Sequence, residues 1–167
     1  MASREKERRR ISFSDVAPIL DSTNLEILRR LIESPRTSIK ALAADIGMSA
    51  PAVAERIQRL HEHGVIRGDR LELDHRQIGL PVAAYVRVRP MPGELQRVAA
   101  LAHDTPEVVE CHRVTGEDCF IMKVVVARVE ALEAVLDEFL RYATTTSSIV
   151  QSTPVALRAP PLPPEPR

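Results

Sequence analysis

The stretch SIKALAADIGMSAPAVAERIQRLHEHG, from Ser38 to Gly64, constrains the fold more than any other part of the chain. Ile39, Leu42, Ala43 and Ile46 fall at i, i+3, i+4 and i+7, one apolar stripe at the helical period. Ser38 is placed to cap that helix, and Gly47 supplies the left-handed residue that stops it. Ser49 is the next cap, and Pro51 fits the first turn of a second helix, where no backbone donor is missed. Val53, Ile57 and Leu60 share the inner face of that helix, and Gly64 ends it. At 100° per residue Pro51, Ala52, Glu55, Gln58 and Arg59 point the other way, with Arg56 on the flank. The pattern predicts two short helices joined by a glycine turn, the second with a slim polar face.

Such a pair can read DNA. A helix entering a major groove about 12 Å wide needs small residues at its leading end as much as basic ones. Ser49, Ala50, Pro51 and Ala52 supply that end, Ser38 and Glu55 lie beside it, and Arg56 and Arg59 reach phosphates or base edges. The competing reading is a helical hairpin with a solvated charged face. A helix over about 22–34, capped from Asp21, Ser22 or Thr23 and stopped by Pro35, carries Leu25, Ile27, Leu28, Leu31 and Ile32 to complete a three-helix unit. Beyond Gly64, Val65-Ile66 and Leu71-Glu72-Leu73 flank Arg67-Gly68-Asp69-Arg70. This reads either as a two-stranded wing that brings Arg67 and Arg70 to the phosphate backbone, or as a plain surface hairpin.

The net charge of zero divides into +3 over residues 1–70 and −3 over residues 71–167, so the basic half carries the candidate reading helix. The excess is modest, and tight binding to double-stranded DNA then calls for two copies of the module. Residues 1–19 read as a flexible basic arm without a secretory signal, and the chain contains no long apolar run that would cross a membrane. Cys111 and Cys119 sit in apolar segments with no C-x-x-C or His/Cys cluster, so a reduced cytoplasmic protein with no disulfide and no metal site is expected. His61 and His63 are about 200° apart on a helix and do not share a ligand. No catalytic fingerprint or cofactor motif occurs.

The second half alternates in type. Val82–Arg89 has period two, with Val82, Ala84, Val86 and Val88 opposed to Ala83, Tyr85, Arg87 and Arg89. Leu95, Val98, Ala99 and Ala102 follow at helical spacing, then a strand over Val108–Val114, a turn at Thr115–Asp118, and a nearly continuous apolar strand over Phe120–Val126. Val129, Leu132, Leu136 and Phe139 mark another helix, and Ser147–Val155 a last strand. The order βαββαβ is the ferredoxin-like plan. With both helices on one face, the other face is expected to expose residues of the apolar third strand and to pair with a second subunit. The fold class is therefore α+β: an N-terminal (winged) helix-turn-helix domain over 20–73, a linker over 74–80, a ferredoxin-like βαββαβ domain over 81–157 and a Pro-rich tail over 158–167.

Taken together, LDSTNLEIL, LAADIGMSAPAVAERIQRLHEHGVIRG, ECHRVTGEDCFIMKVVV and TTTSSIVQSTPV, in this order and spacing, resemble the Lrp/AsnC family of transcription regulators over roughly residues 20–157. The resemblance implies regulation of transcription, and two reading helices on a twofold dimer predict a pseudo-palindromic operator. The resemblance also implies a C-terminal domain that makes homodimers, often closed into octamers, and binds small effectors, commonly amino acids. By the same resemblance, Thr115, Gly116, Glu117, Asp118 and Cys119, with Thr144, Thr145, Thr146 and Ser147, lie near the effector. Backbone donors and hydroxyls there suit a carboxylate, and Glu117 or Asp118 an α-ammonium. Cys119 stands where the family's commonest pattern has Asp. Two alternatives accompany this reading. Sirohaem decarboxylases resemble the same two-domain plan and would need a tetrapyrrole pocket, for which Cys111-His112-Arg113 is the one candidate. A ligand-sensing assembly module without specific DNA binding is the other, favoured by Glu55 on the outer helix face.

Overall fold

A computed structural model describes residues 19–164; the expected N-terminal arm lies almost wholly outside them. The described chain divides into two compact units, one comprising residues up to Arg70 together with those from Leu157 onward, the other Leu71–Ala156.

The first unit contains α1 (Ser22–Glu33), α2 (Ile39–Asp45) and α3 (Ala50–Glu62). Each helix begins on a side-chain cap. Asp21 accepts from the Asn24 amide at 2.7 Å, Ser38 from Ala41 at 3.2 Å and Ser49 from Ala52 at 3.4 Å. The second and third helices end the same way. Gly47 and Gly64, at φ 69° and 71°, donate to Ala44 and His61, and the following amides of Met48 and Val65 reach back to Ala43 and Leu60. This glycine-terminated arrangement satisfies carbonyls that would otherwise be orphaned, and it turns the chain sharply. Ile27, Leu28, Leu42, Ala43, Val53 and Leu60 form the buried centre of the unit.

Neither the wing nor the plain hairpin read after Gly64 forms, since no strand lies between α3 and the next unit. Val65 and Ile66 donate to the Leu60 carbonyl at 2.9 and 3.2 Å, and their side chains pack on the three-helix core, so neither is free to pair as a strand. Residues 67–73 are exposed and non-regular. A two-stranded ribbon alone is marginal in water, and here the cap of α3 takes one of its two strands.

The second unit contains β1 (Val82–Pro90), α4 (Leu95–Asp104), β2 (Val108–Arg113), β3 (Phe120–Val126), α5 (Val129–Leu140) and β4 (Ala143–Ile149). The strands form one antiparallel sheet in the order β2-β3-β1-β4. Ala84, Val86 and Val88 of β1 and Phe120, Met122, Val124 and Val126 of β3 meet Val98 and Ala102 of α4 and Leu132, Val135 and Phe139 of α5 in a single core. At roughly 1.5–3 kcal/mol per fully buried large apolar side chain, this layer supplies the main stabilisation of the unit.

Two expectations are corrected here. The last strand runs over Ala143–Ile149 rather than Ser147–Val155, because Thr144–Ser148 pair with β1 from Arg89 to Tyr85; the β-branched threonines favour the strand. The open face of the sheet is also not an apolar extension of β3. Phe120, Met122, Val124 and Val126 all turn toward the helices. The alternate positions on the other face are Ile121, Lys123 and Val125, set opposite Arg87, Tyr85 and Ala83 of β1, with Arg89 beyond them on the same strand face. That face is mixed in character. At one end the segment Leu71–Leu80 lies against Val109, Lys123 and Val125 around a largely apolar cleft.

Candidate nucleic-acid interface and effector site

The candidate reading surface is built on α3. Ser49, Pro51, Glu55 and Arg59 are exposed, and Ala50 and Ala52 are half-buried. None lies in the buried centre, which α3 meets through Val53 and Leu60. The leading end of the helix is thus small and accessible, with Ser38 exposed at the start of α2. Glu55 and Arg59 pair along the helix at 2.6 Å, both side chains 63% exposed. An exposed pair of this kind contributes about 0.3–0.5 kcal/mol and exchanges readily, so a phosphate can take the guanidinium from Glu55. Arg67 and Arg70 stand exposed in the coil after α3, not on a wing.

Arg56 has a different engagement from the one expected. Its Nη1 donates to Asp21 Oδ2 at 2.7 Å and to Asn24 Oδ1 at 3.0 Å, tying α3 to the start of α1. Asn24 is buried and donates its side-chain amide to the Ile19 carbonyl at 2.6 Å. Burial pushes the Asp21 carboxyl up, but hydrogen bonds from Arg56 and the Asn24 amide, with the nearby guanidinium charge, hold it below its ordinary value. Arg56 therefore braces the platform that carries Arg59. The signal was present in the sequence, since Asp21 and Arg56 are both polar at helix flanks, but nothing local connects residues 35 positions apart.

The residues expected around an effector divide by strand parity. Val114 donates to the Cys119 carbonyl at 2.9 Å and closes the turn between β2 and β3, with Gly116 at φ 113°. Glu117 and Asp118 of that turn meet Arg89 of β1, through Arg89 Nη2 to Glu117 and Arg89 Nε to Asp118 at 3.7 Å. Arg87 Nε lies 3.8 Å from Asp118. In the register of the sheet Thr144 is opposite Arg89 and Thr146 opposite Arg87, so both hydroxyl-bearing residues share the arginines' face. Thr145 and Ser147 fall on the helix-covered face, opposite Val88 and Val86. Thr115 and Gly116 are exposed, and Cys119 packs partly against the core. The structure thus gathers Glu117, Asp118, Thr144 and Thr146 on one face and adds two arginines. Sequence reasoning did not assign them to this group, although the period-two pattern of β1 placed both on the face opposite the core.

Among the described residues no group of three or more His, Cys, Asp and Glu side chains is arranged to hold a metal. His112 is exposed, with its Nε2 2.7 Å from Glu110, and its strand neighbour Cys111 points to the opposite face of the sheet. Cys111-His112-Arg113 therefore does not converge on one pocket. Among the described residues no helix is long and apolar enough to cross a membrane.

Residues 20–61 match the AsnC-type helix-turn-helix domain, and residues 83–160 match the Lrp/AsnC ligand binding domain. The HTH-type transcriptional regulator LrpA of Mycobacterium tuberculosis is 30% identical over 137 residues, which span 80% of this chain and 91% of that protein. LrpC of Bacillus subtilis is 29% identical over 80% of this chain and 92% of its own length, and its solved structure superposes with a TM-score of 0.76, covering 80% of this chain and 96% of that one. The feast or famine regulatory protein of M. tuberculosis, solved as a complex with L-methionine, superposes at 0.78 with 29% identity, covering 84% and 97% of the two chains. With its capped helix-turn-helix followed by a four-stranded ferredoxin-like unit, the chain belongs to the Lrp/AsnC family of helix-turn-helix transcriptional regulators.

Proposed function

We propose that this chain is a regulator, not an enzyme, and binds a pseudo-palindromic operator in the cytoplasm as a homodimer or a larger closed oligomer, in response to a small amino-acid-like metabolite. The observation that carries the reading is the accessible, slim leading end of α3, mounted on a helix-turn-helix whose caps fix its direction. Ser38, Ser49, Ala50, Pro51, Ala52, Glu55 and Arg59 form the proposed reading surface, with Arg67 and Arg70 contributing charge to the phosphates. Arg56 is left out of it, since its guanidinium is engaged with α1. Two reading helices related by a twofold axis call for half-sites separated by whole turns of the duplex. The apolar cleft beside Leu71, Leu73, Ile78 and Val109, all exposed, is the proposed contact with a second copy.

For the effector, the proposed site is the turn Thr115–Asp118 with Thr144 and Thr146. Arg87 or Arg89 offers a guanidinium to a carboxylate, and the hydroxyls and the Gly116 backbone complete the polar lining. An α-ammonium would take Glu117 or Asp118 in place of an arginine. That a family member of known structure was solved with L-methionine supports an amino acid as the ligand class.

The test joins two measurements on the purified full chain. Light scattering gives the oligomer, and selection from a random duplex library gives the site. Recovery of inverted repeats spaced by whole helical turns, bound by a dimer or a multiple of one, is the expected result. A monomer that enriches no sequence, with equal affinity for every duplex, would overturn the operator reading and leave the assembly module in its place.

A further inference from the structure

The match to the ligand binding domain ends at residue 160, but the chain continues as Pro160-Pro161-Leu162-Pro163-Pro164. This stretch groups with the helix-turn-helix unit and not with the sheet that precedes it. Leu162 is half-buried and packs against the cluster of Ile27, Leu28, Leu42, Ala43, Val53 and Leu60. Leu157, five residues earlier, is 79% exposed and touches no core.

Two physical features make this contact consequential. The first is the composition of the segment. Four prolines surround a single leucine, and each fixes its own φ, so the segment is extended before it docks. Little backbone entropy remains to be lost, and a single apolar anchor is enough to hold it. The second is the size of the platform. A helical unit of about 50 residues buries too small a fraction of its surface to be more than marginally stable alone. Its buried centre consists of six side chains, and among the ten partly buried hydrophobics packed around them Leu162 comes from the far end of the sequence.

We infer that residues 160–164 form an intramolecular strap, with Leu162 as the anchor that completes the core of the DNA-reading unit of its own chain. The reading unit is then joined to the sheet-bearing unit by two covalent tethers. One runs forward from Arg70 to β1, and the other returns from β4 through residues 150–156. Residues 160–164 are then part of the platform of α3.

Hydrogen exchange on the full chain tests this, with Leu162→Ser, Leu162→Met and Leu157→Ser compared to the parent. Leu162→Ser is expected to speed exchange of the slowest α1–α3 amides about fivefold, the effect of withdrawing roughly half of a leucine's burial. The amides of β1–β4 should not change. Leu162→Met, of similar volume, should restore the parent rates to within about twofold, and Leu157→Ser should match the parent throughout. Unchanged α1–α3 rates in Leu162→Ser, or an equal effect from Leu157→Ser, would overturn the strap. The cis connection is tested by a spin label at residue 163 (Pro163→Cys with Cys111→Ser and Cys119→Ser). The label should broaden α1–α3 signals of its own chain. In co-refolded mixtures, broadening of an isotope-labelled chain that itself carries no spin label would assign the strap to the other copy and refute the intramolecular form.

Discussion

Arg56 and Arg59 are three residues apart on one helix, and the structure separates their roles in a way that can be measured. Replacing Arg56 with alanine removes a half-exposed ion pair with Asp21, worth about 0–1 kcal/mol. It also strips the donor from Asn24 Oδ1, and Asn24 is only 5% exposed. Leaving a buried acceptor unsatisfied costs about 1–3 kcal/mol, so the expected loss for the reading unit is about 1–3 kcal/mol. Arg59→Ala removes only an exposed pair along α3 and should change stability by less than about 0.5 kcal/mol. The order reverses on DNA. If Arg59 meets a phosphate, its loss should make the plot of log affinity against log salt shallower by about 1 for each bound copy. If it meets a base edge, the loss should be about 1–3 kcal/mol on the operator alone. Arg56→Ala should leave the salt slope unchanged at temperatures where the unit remains folded. Urea unfolding followed by amides of α1–α3, and binding titrations at four salt concentrations, give both quantities. An Arg56→Ala protein as stable as its parent but with a shallower slope would refute the brace and return Arg56 to the reading surface.

Three further outcomes follow from the same geometry. Gly116 sits at φ 113° with open space where a Cβ would stand, so Gly116→Leu meets no clash but carries backbone strain of about 1–3 kcal/mol. The turn should relax and draw Glu117 and Asp118 away from Arg87 and Arg89, abolishing any amino-acid response in a gel-shift titration while the sheet and its oligomer persist; an unchanged response would remove the turn from the effector site. Asp21 has its pKa lowered in the folded state, so its contribution to stability is present above the unfolded value of about 3.8 and is lost as pH falls through the lower folded value. The stability gap between the parent and Asp21→Asn should accordingly shrink as pH falls below about 3.8, and a gap independent of pH would contradict the ion pair. Phe139 is fully buried under the sheet, and Phe139→Ala should cost about 3–5 kcal/mol in the second unit, read by exchange of the β3 and α5 amides.

Much of this molecule was written locally. Asp21, Ser38 and Ser49 cap the three helices, and Gly47 and Gly64 stop the last two, because capping and left-handed termination act within one helical turn. The alternation of β1 and the spacing of α4 and α5 announced which faces meet, since a two-residue and a 3.6-residue period are fixed by backbone geometry alone. These signals determined the order of elements and singled out α3 as the candidate reading helix. They also carried the resemblance that pointed to the family.

What they could not hold is any pairing across long separations. Asp21 meets Arg56, Arg89 meets Glu117, and Leu162 reaches a core laid down more than a hundred residues earlier. The same limit explains the missing wing. Val65 and Ile66 have the composition of a strand, but the end of α3 offers their amides a carbonyl and the core offers their side chains a place. It explains β4 as well, where a hydroxyl-rich segment with no apolar alternation becomes a strand because the edge of β1 presents unpaired backbone groups to it. Periodicity says which side of an element faces inward. Only the assembled chain decides which charged group finds a partner, because that choice depends on distances that no stretch of sequence contains.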